Sequence, residues 1–412
     1  MHFLKSISTP GLVVLLLFVW TANEIAAQSP LNRESSPRDT VTCRPGAIYC
    51  DDRTGCYNAT SACNGIVNCV DGSDEKTAYC SPACGVSHLP IAGDGPAKIT
   101  GGILANRHSL PWQVALFKPT GSSSGSKFQF CGGTILSNRW ILTAAHCFAR
   151  GPPAEVYWEP DYPVLFQSPA NITARVGAHD LSVLASADEA VDIDVESIHC
   201  HPKYQQQARW DYDFCLLKMR EKIPFRKNIA PACLPAQDDD VTPTSRCLIS
   251  GWGKTSVEEG SATLLHQVTK PILSRLTTCN ATVLGIPQYE GFITNRMLCT
   301  GNADGLLSPI GIAPLVPAGS CQGDSGGPLV CQTATRPGAW VVSGVVSWGM
   351  LCRNQPTGAL PLRIDVYART GSVADWIKST TGIGGNPRSG QAVLSAYSVV
   401  MFTLALATLF MV

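Results

Sequence analysis

Six cysteines crowd the segment 43–80: Cys43, Cys50, Cys56, Cys63, Cys69 and Cys80. So short a stretch cannot bury enough apolar surface to hold its own core, so it needs disulfide bonds or a metal ion. The whole chain carries 18 cysteines in 412 residues, with 37 glycines and 29 prolines. That usage points to a loop-rich protein made where disulfides form. The formal charge is zero, from 31 basic and 31 acidic side chains, which speaks against a nucleic-acid partner needing a basic surplus. With 45% hydrophobic and 15% charged residues, disorder over most of the length is disfavoured too.

Both ends agree with that compartment. Residues 1–27 place His2 and Lys5 before the apolar run Gly11–Trp20, and Ala26-Ala27 before Gln28. Ten apolar residues are too few to cross about 30 Å of hydrocarbon, so a signal peptide is expected in preference to a signal anchor. The tail, 392–412, is free of charge from Val393 to Val412. It could just span a bilayer at roughly 1.5 Å per residue, yet no Lys or Arg follows it. Gly382, Gly384 and Gly385 and the polar spacer 381–391 precede it, which fits a GPI-anchor signal, with a plain transmembrane helix as the alternative. The expected location is secreted or at the extracellular cell surface.

Residues 28–42 are polar, with prolines and charges, and read as a linker. At the end of the cysteine-rich segment, Val70-Asp71-Gly72-Ser73-Asp74-Glu75 gathers three carboxylates near a turn, a setting that suits calcium. Spacing and acidic run together resemble the LDL-receptor class A module over 43–80. The resemblance implies a Ca2+ site of two backbone carbonyls, Ser61 and Ile66, and four side chains, Asn64, Asn68, Asp74 and Glu75. Two of those positions usually hold Asp, so the site is two charges poorer and should bind calcium more weakly. A disulfide knot with no functional metal stays open beside it. Such modules bind protein ligands or space a catalytic domain.

From Cys84 onward the chain turns to short β-rich runs punctuated by Gly and Pro, as in an all-β barrel or sandwich. Trp112–Phe117, Gly133–Leu136, Arg139–Thr143, Val341–Ser347 and Asp365–Ala368 are examples, and a helical pattern is convincing only around Val373–Ser379. Three motifs here bear chemistry. Leu142-Thr-Ala-Ala-His146-Cys147 ends an apolar run in a histidine tied down by a cysteine, suited to moving a proton near neutral pH. Asp213-Phe-Cys-Leu-Leu-Lys218 places a carboxylate before an apolar strand, where it could be buried against an imidazole. Cys321-Gln-Gly323-Asp324-Ser325-Gly-Gly-Pro328 flanks a serine with glycines, so that the amides of Gly323 and Ser325 can converge on one point as an oxyanion hole does.

In the order His, Asp, Ser, the three motifs resemble the chymotrypsin-like serine protease family, over about Ile99 to Lys378. The implied fold is all-β: two six-stranded antiparallel barrels with a C-terminal helix and the site in the cleft between them. Carried over, Ser325 is the nucleophile, His146 the base and then acid, and Asp213 the group that orients the imidazole. Asp211 competes, but Asp213 alone has the Asp-apolar-x-Leu-Leu phasing. Ser347-Trp348-Gly349 would pair with the substrate backbone, and catalysis needs no cofactor. Lys98-Ile99-Thr-Gly-Gly102 resembles the family's zymogen cleavage site, with Thr100 where Val is commoner. Residues 81–98 would then be an activation linker and 99–380 the protease domain. An activating protease that accepts lysine would free the Ile99 amine to bury against Asp324. Disulfides implied by the family are Cys84–Cys233, Cys131–Cys147, Cys247–Cys331, Cys279–Cys299 and Cys321–Cys352. Cys200 and Cys215 would lie on adjacent strands, bonded or as two buried thiols.

Specificity is less direct. Trypsin-like members carry an Asp six residues before the nucleophile, and that position here is Gly319, followed by Ser320. Asp365, two residues before Tyr367, stands where most have Gly, and Gly349 keeps the entrance open. The expectation is a pocket for Arg or Lys, or a mixed choice, since a buried carboxylate costs free energy unless a cation meets it. Elastase- or chymotrypsin-like choice is the alternative. Phe148–Ala174, Asn302–Ala318 and Arg353–Ile364 are longer than the family core and lie near the cleft. Sequons at Asn58, Asn171 and Asn280 are candidate glycosylation sites of a secreted protein. Two further functional classes remain: a catalytically silent binding protein, and an adhesion protein working through the cysteine-rich module.

Overall fold

Along Cys215–Met219 four of five side chains are buried, and along Trp140–Thr143 three of four. Strands this apolar must be covered on both faces, which a closed sheet wrapped around its own side chains achieves. The computed structural model describes residues 41–44, 47–50, 52–58, 66–75, 83–92, 102–120, 126–150, 165–166, 168–254, 260–273, 293–301, 320–334, 336, 338–349 and 365–383. Within them the cysteine-rich segment is a hairpin of β1 (Ala47–Tyr49) and β2 (Cys56–Asn58), pinned by Cys43–Cys56 and Cys50–Cys69. Cys50, Tyr57 and Cys69 form its small core, and Val191 of the next domain packs against them. Arg53 pairs with Glu189 across the same contact.

The main body begins with β3 (Ile103–Leu104), β4 (Gln113–Pro119), β5 (Lys127–Ile135) and β6 (Trp140–Thr143). A short ribbon follows, β7 (Ala149–Arg150) with β8 (Leu165–Phe166). Next come β9 (Thr173–Val176), β10 (Val191–Cys200) and β11 (Cys215–Met219). Six of these strands close a barrel in the order β10-β11-β6-β5-β4-β9. Val114, Leu116, Ile135, Ile141, Val176 and Leu217 share one face of this sheet, Leu142 and Leu216 lie on the other, and all are buried.

The second half contains β12 (Arg246–Gly251), β13 (His266–Lys270), β14 (Ile272–Leu273), β15 (Met297–Thr300), β16 (Pro328–Gln332), β17 (Trp340–Gly349) and β18 (Asp365–Arg369). Their sheet runs β14-β15-β18-β17-β16-β12-β13-β3. β14 begins that order and β13 is next to last in it, yet only Pro271 separates them. A nearly continuous strand cannot lie at two such distant places in a flat sheet, so the sheet rolls round. Proline has no amide to donate, and the chain changes partner there, from β12 to β15. The helix α1 (Ala374–Thr381) buries Ala374 and Ile377 and stops at Gly382, whose φ of 72° suits glycine.

The two halves share one apolar core, with Trp112 and Leu116 from the first beside Trp252, Val330 and Val345 from the second. A buried hydrogen bond from Ser250 Oγ to Gln113 Oε1, 2.6 Å, joins β12 to β4 across the seam. Disulfides Cys84–Cys233, Cys131–Cys147 and Cys247–Cys331 are formed, and Cys200 is bonded to Cys215 across β10 and β11. Cys299 and Cys321 are disulfide-bonded as well, while Cys279 and Cys352 lie outside the described residues. So do the signal-peptide, 28–40, cleavage-site and C-terminal-tail expectations, and no helix among the described residues is long and apolar enough to cross a membrane.

Candidate active site

β6 runs buried through Leu142 and Thr143 into a single 3-10 turn, Ala145–Cys147, which carries His146 out to the seam between the halves. The bond from Cys147 to Cys131 on β5 anchors the turn. Asp213 lies two residues before β11, fully buried, and reaches the same turn. Its Oδ1 accepts the backbone N–H of His146 at 2.8 Å, and its Oδ2 lies 2.7 Å from His146 Nδ1. Ser347 Oγ donates to Oδ2 as well, at 2.5 Å. A buried carboxylate with three donors fixes the ring, leaving Nε2 as the working nitrogen. The ring of Trp210 meets His146 edge-on, centroids 5.6 Å apart.

Asp211 goes elsewhere. It is fully buried, and Arg296 clamps it with Nε at 2.9 and 3.0 Å and Nη2 at 2.5 Å, joined by Thr294 Oγ1 at 2.9 Å. These hydrogen bonds hold the Arg296 guanidinium above its ordinary pKa. Nothing in the local sequence names Arg296 as the partner, 85 residues away.

The serine motif comes to the same seam. Gly132, next to Cys131, donates its N–H to the Ser325 carbonyl at 2.7 Å, and Gly326 N–H donates to Val346 O at 2.8 Å. Gly323 has φ +104°, a conformation other residues rarely adopt, and an added Cβ would stand 3.0 Å from Gly253 Cα. Its carbonyl turns away to accept Gln129 Nε2 at 2.7 Å. Among the described residues neither the Gly323 nor the Ser325 amide has a backbone acceptor, so both are available to a ligand oxygen.

Asp324 turns inward. It accepts the N–H of Gly253 at 2.7 Å and of Cys321 at 2.9 Å, beside a cavity lined by Ser250, Gly251, His266, Gln267, Val268 and Val346. Gly102 packs on Gln267 and Val268 along the same wall. Lys98 and Ile99 lie outside the described residues, as does Gly319.

Of the pocket residues, β17 presents Ser347, Trp348 and Gly349, and Gly349 is in register with Asp365 on β18. Asp365 is buried, and it has a partner that the sequence reading missed. Lys270 Nζ lies 3.0 Å from Asp365 Oδ2, and Ser320 Oγ donates to Oδ1 at 3.2 Å. Pairing across separate strands has no local signature in the sequence.

In the cysteine-rich module four of the six expected calcium ligands are described: Ile66, Asn68, Asp74 and Glu75. Asp74 accepts the backbone N–H of Asn68 at 2.6 Å and of Cys69 at 3.0 Å. The Asn68 amide faces two oxygens, the Ile66 carbonyl at 3.0 Å and Asp74 Oδ2 at 3.1 Å. With its oxygen turned that way it completes a cluster of three oxygens that would suit a hard cation, and with its nitrogen turned that way it donates to both when no cation is bound. Of the sequons, Asn171 is exposed in a turn; the Asn58 side chain and Asn280 lie outside the described residues, as do Ser61 and Asn64.

A closed six-stranded barrel and a second rolled sheet that meet where a buried Asp holds a His, with a glycine-framed serine beside it, define the chymotrypsin-like class of serine hydrolases. Comparison with known proteins agrees. The chain belongs to the trypsin family, whose model matches residues 99–377, and the low-density lipoprotein receptor domain class A matches residues 41–80. It is 34% identical to trypsin 5G1 of Aedes aegypti over 286 residues, 69% of this chain and 86% of that one. It is 33% identical to transmembrane protease serine 9 of Rattus norvegicus over 346 residues, 84% of this chain. With ovochymase-2 of Mus musculus it shares 32% over 304 residues, 73% of this chain. The chain spans only 27% and 43% of the length of these last two relatives.

Proposed function

We propose that the chain is a secreted or surface-anchored serine endopeptidase, made as a zymogen and opened after Lys98 by another protease. The observation that carries this reading is the pair of hydrogen bonds by which Asp213 holds both the backbone and the ring of His146, at the seam where Gly132 fixes the Ser325 carbonyl. In the proposed reaction Ser325 Oγ attacks the scissile carbonyl carbon while His146 Nε2 takes its proton. The N–H groups of Gly323 and Ser325 meet the oxyanion. His146 then gives the proton to the departing amine, and water attacks the acyl-serine in a second, mirrored step.

Support for activation comes from Gly102. It packs beside the Asp324 cavity only three residues after Ile99, and three residues span at most about 10 Å. A freed Ile99 amine is thus within reach of the Asp324 carboxylate. Disulfides through both domains support export, and a protein ligand of the class A module and the GPI-type tail complete the reading.

Protein opened after Lys98 should cleave members of a randomised peptide library, whereas Ser325→Ala and uncut Lys98→Gln should be silent. Equal silence from the opened wild-type protein and Ser325→Ala would sink the enzyme reading and leave the module as the functional part.

A further inference from the structure

Lys270 is the last residue of β13, one step before the proline at which the chain changes partner. Its side chain is 2% exposed, that of Asp365 1%. An ammonium so fully withdrawn from water needs an anion, and the carboxylate at 3.0 Å is one. Asp365 in turn lies opposite Gly349 on one side and Thr300 on the other, with Ser320 on its second oxygen. The carboxylate that stands in the primary pocket has thus been met by a cation from the chain itself.

This changes what the pocket can accept. An incoming guanidinium or ammonium would lose its hydration against a carboxylate already paired with Lys270 and would meet the Lys270 ammonium there. An uncharged side chain pays neither cost. We infer that Lys270 is the built-in counter-ion of Asp365 and that it closes the primary pocket to Arg and Lys in favour of uncharged P1 side chains. The inference rests on the endopeptidase reading, with Asp365 in the pocket that receives P1. It also means that the opened enzyme does not cut its own precursor after Lys98, so the activator is a separate protease.

The test uses the full chain opened after Lys98, with two independent readouts: cleavage of peptides differing only at P1, and binding of p-aminobenzamidine, an aromatic cation that needs no catalysis. The wild-type protein should favour Ala, Leu or Phe at P1 over Arg by about tenfold or more and bind the amidine weakly. Lys270→Met should raise both cleavage after Arg and amidine affinity by about tenfold or more. Asp365→Asn, which leaves the ammonium uncompensated, should raise cleavage after Glu instead, and it carries the test if Lys270→Met does not fold. Wild-type preference for Arg or Lys that Asp365→Asn abolishes would overturn the inference, as would an unchanged amidine affinity in folded Lys270→Met. Amidine affinity that rises in Lys270→Met while no peptide is cut would sustain the inference about the pocket and reject the protease reading alone.

Discussion

Ser347 and Asp213 are joined by a 2.5 Å hydrogen bond, from the strand expected to pair with substrate to the carboxylate that orients His146. The same Asp213 oxygen meets His146 Nδ1, so two donors share its charge. Ser347→Ala should lower kcat/KM by roughly tenfold, against about 10^4 for Asp213→Asn. An unchanged kcat/KM in folded Ser347→Ala would show that this hydrogen bond does not help hold the carboxylate against the ring.

Asp211 and Arg296 form a clamp whose carboxylate is fully buried. Arg296→Met strands that charge beside the loop that delivers Asp213. Because the guanidinium is partly exposed, the expected loss is about 2–3 kcal/mol, short of the figure for a wholly buried pair. Thermal melting checks it, and Asp211→Asn with Arg296→Met should recover much of the loss.

His201 stacks on Tyr212, centroids 4.4 Å apart, and meets Trp376 edge-on. Burial, with Lys203 nearby, pushes its pKa from 6.5 down to about 4. Between those values the unfolded chain binds the proton more readily than the folded one. Stability is therefore full above about 6.5 and falls as the pH drops toward 4. His201→Phe should flatten the decline in Tm over that window, and a slope equal to that of the wild-type protein would exclude His201 as its source.

Legibility in the sequence followed chain locality. The His146, Asp213 and Ser325 motifs each carry their own context within a few residues, and the strand runs around them could be read from apolar patterning alone. The choice between Asp211 and Asp213 needed only phasing. Lys270 and Arg296 were invisible because their partners are strands away, and a buried cation reads as an ordinary surface residue until its partner is known. Asn68 was legible as a charge deficit, but that its amide would face the Ile66 carbonyl and Asp74 depends on a loop conformation that composition does not encode.

The same oxygen cluster carries a fourth prediction. Calcium should raise the Tm of the chain and EDTA should remove the rise, at calcium concentrations higher than an all-carboxylate site needs, because Asn64 and Asn68 supply amides. Asn64→Asp with Asn68→Asp should strengthen calcium binding by about tenfold or more. A Tm that calcium does not move would contradict the cluster as a cation site.

Arg53–Glu189 and Val191 pack the class A module on the edge of the first barrel, and the Cys84–Cys233 bond ties the segment that follows the module to the strand of Trp340 in the second half. On the proposed reading, a protein ligand captured by the module would be held at a high effective concentration near the protease domain, with its approach direction restricted. Selectivity among protein targets can then come from docking geometry, leaving a P1 pocket of modest discrimination to choose only which bond within a captured chain is cut.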